Sequence, residues 1–188
     1  MSLEIVIGPM FAGKSSYLLS TVRRYQAIGY PVFCITSHLD TRYADVSAIH
    51  SHDHQRIPAM PVRQLREVDY LLSYMDAKLL IIEEAQFYPD LFEFVLHAVE
   101  RDGKDVIVCG LDGDADRLPM GQILNLIPVA DKVTKLAALC QDCGNLTPAI
   151  FTYRKDETAP SQIGGAEQYE SLCRAHYIRK RFGDSLCI

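Results

Sequence analysis

Eight consecutive residues constrain this chain more than any others: Gly8-Pro9-Met10-Phe11-Ala12-Gly13-Lys14-Ser15. They match the spacing G-x-x-x-x-G-K-[ST], and their flanks make the match informative. The apolar run Leu3 to Ile7 precedes them and reads as a buried strand. From Ser15 to Ile28, the residues Leu18, Leu19, Val22, Tyr25 and Ile28 follow at helical spacing, and Gly29 stands where a helix C-cap glycine sits. Glycines let a backbone wrap closely around a phosphate with its N–H groups pointing inward. The positive end of the following helix faces the same point. Lys14 would reach the β- and γ-phosphates, and Ser15 would hold Mg²⁺. The motif predicts a nucleoside triphosphate site and leaves open what is done there.

The rest of the chain extends the strand–helix rhythm. Val32–Thr36, Leu79–Ile82, Val106–Cys109 and Val133–Leu139 read as further strands. Val62–Met75 reads as a helix with apolar positions at Leu65, Val68, Leu71, Leu72 and Met75. Asp90–Arg101 reads as another, opened by Pro89 and closed by Asp102-Gly103. Continuously apolar strands alternating with amphipathic helices predict an α/β fold: a P-loop NTPase-type parallel sheet covered on both faces. Beyond Leu139 the rhythm stops and turn residues dominate, so two units are expected, 1–139 and 140–188. The second lacks the apolar periodicity to fold alone and calls for a staple.

With 48% hydrophobic residues, the chain can bury a sizeable core. A net charge of −5 argues against a nucleic-acid partner held by bulk charge. No apolar run approaches the roughly 20 residues of a membrane span, so no membrane partner is expected. Met1-Ser2-Leu3-Glu4-Ile5 lacks the basic start and apolar stretch of a signal peptide, which predicts a cytoplasmic protein.

Leu79-Leu80-Ile81-Ile82-Glu83-Glu84 places two carboxylates at the C-terminal end of a buried strand, the edge where open α/β sheets bind ligands. The first acid after such a strand commonly supports Mg²⁺, and Glu83 holds that place. Side chains alternate along a strand, so Glu84 points elsewhere, toward an acceptor hydroxyl whose proton it would take. No Thr/Asn-Lys-x-Asp string for guanine recognition occurs.

Six cysteines divide by context. Cys34 and Cys109 sit within strand-like runs and read as reduced core thiols, and Cys187 lies beside the C-terminus. Cys140-Gln141-Asp142-Cys143 and Cys173-Arg174-Ala175-His176 form two C-x₂-C/H knuckles. Three thiolates and an imidazole close a tetrahedral Zn²⁺ sphere, so the metal would be structural. Asp40-Thr41-Arg42-Tyr43 follows the second strand; Arg42 would contact a transferred phosphate and Asp40 a Mg²⁺ water, or both would be solvated charges. His50, His52 and His54 read as a solvated loop or short exposed strand. Arg179-Lys180-Arg181 reads as a solvated helix face or a subunit contact. Gly164-Gly165 marks a tight bend that would admit close ligand approach.

Together these residues resemble the type II thymidine kinases. The resemblance spans nearly the whole chain. It rests on the phosphate loop, Asp40-Thr41-Arg42-Tyr43, Glu84-Ala85-Gln86-Phe87, Gly110-Leu111-Asp112-Gly113, Ile123-Leu124-Asn125-Leu126, both cysteine knuckles, and Ile163-Gly164-Gly165-Ala166 with Tyr169. It implies ATP-dependent phosphorylation of the 5′-hydroxyl of thymidine, extending to deoxyuridine, in nucleotide salvage. By that resemblance Glu84 is the general base, and Lys14 and Arg42 stabilise the transferring phosphoryl. The cofactor set is Gly8 to Ser15 with Ser16, Asp40, Glu83 and Gln86; Mg²⁺ is held by Ser15 and, through water, by Asp40 or Glu83. A lasso loop of about Thr152 to Tyr169 closes over the base. The substrate set is Met10, Phe87, Leu111, Ala115, Met120, Thr152, Ile163, Gly164, Gly165 and Tyr169. Family members are usually homotetramers, sometimes dimers, inhibited by the triphosphate end product.

Three positions depart from the family pattern. Glu83 stands where Asp is usual, one methylene longer at the Mg²⁺ shell. Asp114-Ala115 replaces a Thr-aromatic pair, and Met120 replaces an aromatic. Loss of aromatic walls implies a larger base pocket and removes contacts worth about 1 kcal/mol each. The competing function is a P-loop ATP-binding switch or nucleic-acid-linked ATPase that uses the zinc ribbon as an interaction module. A nucleoside requirement for ATP consumption separates the two.

Overall fold

Buried apolar residues at alternate strand positions need cover on two sides, and the chain supplies it from both. A computed structural model describes residues 1–39, 47–50, 55–156 and 165–183. Its centre is a six-stranded sheet built from β1 (Ser2–Ile7), β2 (Val32–Ser37), β5 (Met60–Val62), β6 (Leu79–Ile82), β7 (Asp105–Gly110) and β8 (Lys132–Lys135). The strand order is β5-β2-β6-β7-β1-β8, and every pairing is parallel. Leu3, Ile5, Leu80, Ile82, Val106 and Val108 point to one face, where α3 (Leu91–Glu100) packs with Leu91, Phe94, Val95 and Ala98. Val6, Leu79, Ile81, Ile107 and Cys109 point to the other, beneath Leu18, Leu19 and Val22 of α1 (Lys14–Ala27). A short ribbon of β3 (Ala48–His50) and β4 (Arg56–Pro58) lies on the α1 side through Ile49 and Ile57. The expected sheet is thus present, with both faces covered.

Three local expectations change. Val62–Met75 is not one helix. Val62 ends β5, residues Leu65–Val68 form a 3₁₀ turn, and α2 (Leu72–Asp76) is separate. Leu65, Val68 and Leu71 recur every third residue, which suits a three-per-turn winding as well as an α-helix. The Gln64 and Glu67 side chains cap the 3₁₀ turn reciprocally, and Leu72 and Met75 are exposed. Ile28, expected on the buried face of α1, is exposed beyond its end. The strand expected over Val133–Leu139 is two: β8 in the sheet and β9 (Ala138–Leu139), which pairs with β10 (Pro148–Ala149).

The C-terminal part is a set of small ribbons around a small core. β11 (Phe151–Arg154) and β12 (Tyr169–Leu172) are antiparallel, and α4 (Arg174–Phe182) packs Tyr177 into a cluster with Ala138, Ala149 and Leu172. Two of the three cations in the basic run on α4 are paired within the chain while still partly exposed. Lys180 pairs with Asp142 and Glu170 at 3.0 and 2.6 Å, and Arg181 with Asp116 at 2.6 Å. His50 is in β3, as a short strand; His52, His54 and Cys187 lie outside the described residues. Among the described residues no helix is long and apolar enough to cross a membrane.

Candidate active site

The phosphate loop leaves β1 at Gly8 and enters α1 at Lys14, with Gly13 in the left-handed region at φ 77°. Gly8 is required by its neighbour: a β-carbon there would strike the Leu136 carbonyl, whose N–H donates to Ile7 at 2.8 Å. Lys14 folds back over the loop and donates from Nζ to the Pro9 carbonyl at 2.7 Å. That bond holds the ammonium against the loop backbone. Ser15 occupies the first turn of α1, while Ser16 is exposed on the next position.

The acidic pair completes this edge from β6. Glu83 is buried, 4% exposed, and accepts from the Ser15 hydroxyl at 2.6 Å. Thr36 at the end of β2 turns its hydroxyl toward the other Glu83 oxygen at 3.5 Å. Glu84 follows in a left-handed conformation, φ 51° and ψ 39°. A non-glycine residue there costs of order 1–3 kcal/mol, a strain that recurs at functional sites. Both acids lie past the end of β6 at Ile82, so the left-handed turn, and not strand alternation, sets the direction of Glu84. Gln86 donates from Nε2 to Glu84 Oε2 at 2.5 Å.

Substrate-set residues approach from three segments. Phe87 ends the 3₁₀ turn after Glu84, Leu111 follows β7, and Thr152 reaches across from β11. Thr152 is 4% exposed and accepts from the Met10 backbone N–H at 3.0 Å, which joins the C-terminal ribbons to the phosphate loop. The β11–β12 register puts Thr152 opposite Ser171 and Arg154 opposite buried Tyr169, so these four share one face of the ribbon. Gly165 begins the turn that leads into β12, its carbonyl accepting from Gln168 and Tyr169. Asp40, Thr41, Arg42, Tyr43, Ile163 and Gly164 lie outside the described residues.

Asp114 has a local task. Its Oδ1 accepts from the backbone of Asp116 and Leu118 at 2.9 and 2.8 Å and turns the segment between Gly113 and Pro119. That turn docks on the C-terminal ribbons. Tyr177 donates to the Ala115 carbonyl at 2.6 Å, and the Arg117 guanidinium lies over the rings of Tyr177, Phe151 and Phe182 at 4.9, 5.8 and 5.7 Å. Met120 follows the turn, half-buried. Thr36, Arg117 and Tyr177 carry no motif signal, since each acts on a partner distant in sequence.

Cys140, Cys143, Cys173 and His176 place their ligand atoms within 4.8 Å of one another. Cys143 and Cys173 Sγ are 3.9 Å apart, and His176 Nδ1 lies 3.5, 3.3 and 3.4 Å from the three sulfurs. Tetrahedral Zn²⁺ with Zn–S of about 2.3 Å and Zn–N of about 2.0 Å needs edges of about 3.8 and 3.5 Å. The set fits a structural zinc with no open position. Burial pushes the Cys140 thiol up, but hydrogen bonds from the Cys173 and Cys143 backbone and from the Cys143 and His176 side chains bring it down to about 6. By contrast burial, then the Glu83 charge, pushes Cys34 up to about 12, and burial also raises Cys109. These two are inert core thiols.

The thymidine kinase family model matches residues 1–177. The chain belongs to the thymidine kinase family. It is 42% identical over 181 residues to "Thymidine kinase a" of Arabidopsis thaliana, covering 94% of this chain and 75% of that protein. It is 40% identical over 182 residues to "Thymidine kinase, cytosolic" of Homo sapiens, covering 96% and 75%. The thymidine kinase of Vaccinia virus (strain Western Reserve) is 40% identical over 177 residues, covering 94% and 96%. In the terms of this family, the matched span includes the phosphate loop, the acidic pair and the Cys₃His set.

Proposed function

We propose that the chain works as its family name states. It is an enzyme, a thymidine kinase, and transfers the γ-phosphoryl of ATP to the 5′-hydroxyl of thymidine, and of deoxyuridine, in the cytoplasm as part of nucleotide salvage. The observation that carries the reading is the meeting of Ser15 and Glu83 at 2.6 Å, with Glu84 next in the chain in a left-handed turn.

The division of labour follows from that edge. Residues 1–139 form the nucleotide-binding unit, and 140–188 the zinc-bound unit with the lasso. Backbone N–H groups of Gly8 to Ser15, with Ser16 at the start of α1, hold the phosphates. Lys14 and Arg42 neutralise charge on the transferring group. Ser15 and, through water, Asp40 or Glu83 would hold Mg²⁺, which would supply charge neutralisation. Glutamate at 83 fits because it already reaches the Ser15 hydroxyl directly. Glu84 accepts the 5′-hydroxyl proton as the oxygen attacks. Met10, Phe87, Leu111, Ala115, Met120 and the lasso residues Thr152, Ile163, Gly164, Gly165 and Tyr169 enclose the base. The assembly is a homotetramer, as the family resemblance implies.

The test is a nucleoside panel with Mg-ATP, scored for 5′-monophosphate, on the wild type and Glu84→Gln. Transfer to thymidine and deoxyuridine is expected, with Glu84→Gln about 10²–10⁴-fold slower and ATP binding retained. ATP loss without an acceptor would overturn the kinase reading. A near wild-type rate for Glu84→Gln would overturn the base assignment.

A further inference from the structure

Gln86 is 5% exposed and spends both ends of its amide inside the protein. Nε2 donates to Glu84 Oε2 at 2.5 Å, and Oε1 accepts from the Leu111 backbone N–H at 3.0 Å. The second bond fixes the orientation of the first. A backbone N–H can only donate, so the carbonyl end must face Leu111 and the NH₂ end must face Glu84. The end of β7 is cut back to admit this side chain, since a β-carbon at Gly110 would strike Gln86 Oε1; at Gly121 a β-carbon would strike the backbone carbonyl of Gln86. Gly121 also takes φ +55°, which glycine adopts without strain. Glu84 departs from β6 through a left-handed residue, and its carboxylate gains a fixed angle from its partners rather than from strand geometry.

We propose that Gln86 is a positioning residue for the reaction: it clamps the Glu84 carboxylate and ties it to the end of β7. The proposal rests on the reading of Glu84 as the base. It links proton acceptance to the substrate wall, because the same amide holds the backbone of Leu111. A nucleoside seated against Leu111 and the carboxylate that takes its proton then share one anchor. A small misplacement of a catalytic group lowers turnover much more than binding.

A double-mutant cycle tests it on the full zinc-loaded chain. Gln86→Met should lower kcat for thymidine about 10- to 100-fold and leave KM for ATP within about twofold. Gln86→Glu keeps an oxygen for the Leu111 N–H and loses the donor to Glu84. It should show a similar fall in kcat even if the methionine variant folds poorly. In the Glu84→Gln background, where there is no base left to position, either change should cost less than about twofold further. Equal fold-losses in both backgrounds would overturn the proposal, as would a raised KM for ATP with kcat retained. Wild-type turnover by Glu84→Gln alone would instead overturn the base assignment and this proposal with it.

Discussion

The sheet and the C-terminal ribbons solve the same problem with opposite means. The sheet buries continuous apolar strands between α1 on one face and α3 on the other, so Leu80, Ile81 and Val108 are fully enclosed. The ribbons are two to four residues long, and their small core counts Cys140 and Cys173 among its members. Two of the groups that fill this core are therefore metal ligands. In the sheet, apolar burial is the dominant stabilising term. In the ribbons, metal binding is part of the folding free energy. The active edge lies where these regimes meet, at the hydrogen bond from Met10 to Thr152. A phosphate loop held by the sheet is thus joined to a C-terminal part whose small core includes members of the Cys₃His set.

The largest expected effect comes from removing the staple. Structural Zn²⁺ sites contribute about 10–16 kcal/mol of apparent binding free energy in small domains. Chelation, or Cys173→Ser, should collapse hydrogen-exchange protection in β11, β12 and α4 while β1, β6 and β7 keep theirs. Uniform loss across the chain, or none, would break the comparison. Turnover should vanish with the cover, while ATP binding at the phosphate loop survives. Next in size is Leu80→Ala. Leu80 is 0% exposed, so truncation should cost about 2–5 kcal/mol. A lower Tm with unchanged zinc content is the expected pair of readings; loss of zinc would mean that the two regions unfold as one.

The same contrast explains what the sequence made legible. The phosphate loop, the acidic pair and four sheet strands carry their signal within a few consecutive residues, and the structure has them in the expected places. The Cys₃His set was legible because ligand chemistry allows few residue types. Val62–Met75 failed because a three-residue apolar repeat does not separate a 3₁₀ turn from an α-helix. The ribbons escaped because β9 and β10 are shorter than any periodicity can register. Gln86 carried its place in a motif, but its bond to the backbone of Leu111 depends on strands that meet only in the fold.

Acid should loosen the cover before the cradle. Cys140 is held down to about 6 from an ordinary thiol value of 9.0. A depressed acid stabilises the fold fully above its unfolded value, and that contribution is lost as pH falls through the folded one. Zinc binds thiolates and displaces their protons, so zinc retention and protection of β9 to β12 should weaken as pH falls. The inert thiols Cys34 and Cys109 remain protonated throughout and give the sheet no such dependence. Zinc release followed by a metallochromic dye, alongside sheet exchange rates, reads both halves. Matched pH dependence in the two regions would remove the distinction.

The smallest effect probes the seam itself. Tyr177 belongs to the C-terminal core, yet its hydroxyl donates to the carbonyl of Ala115, whose turn belongs to the sheet region. Tyr177→Phe deletes that one bond and keeps the ring that packs on Phe151 and lies under Arg117. A net hydrogen bond is worth about 0.5–1.5 kcal/mol, so global stability should fall by about that much. The informative reading is kinetic. On the proposed reading Ala115 walls the base pocket, so a looser turn would weaken that pocket without touching Glu84 or the phosphate loop. KM for thymidine should rise, while kcat and KM for ATP stay near their starting values. An unchanged thymidine KM would mean that the Asp114 hydrogen bonds alone hold the turn in place, and that the cover contributes nothing to the pocket wall on that side.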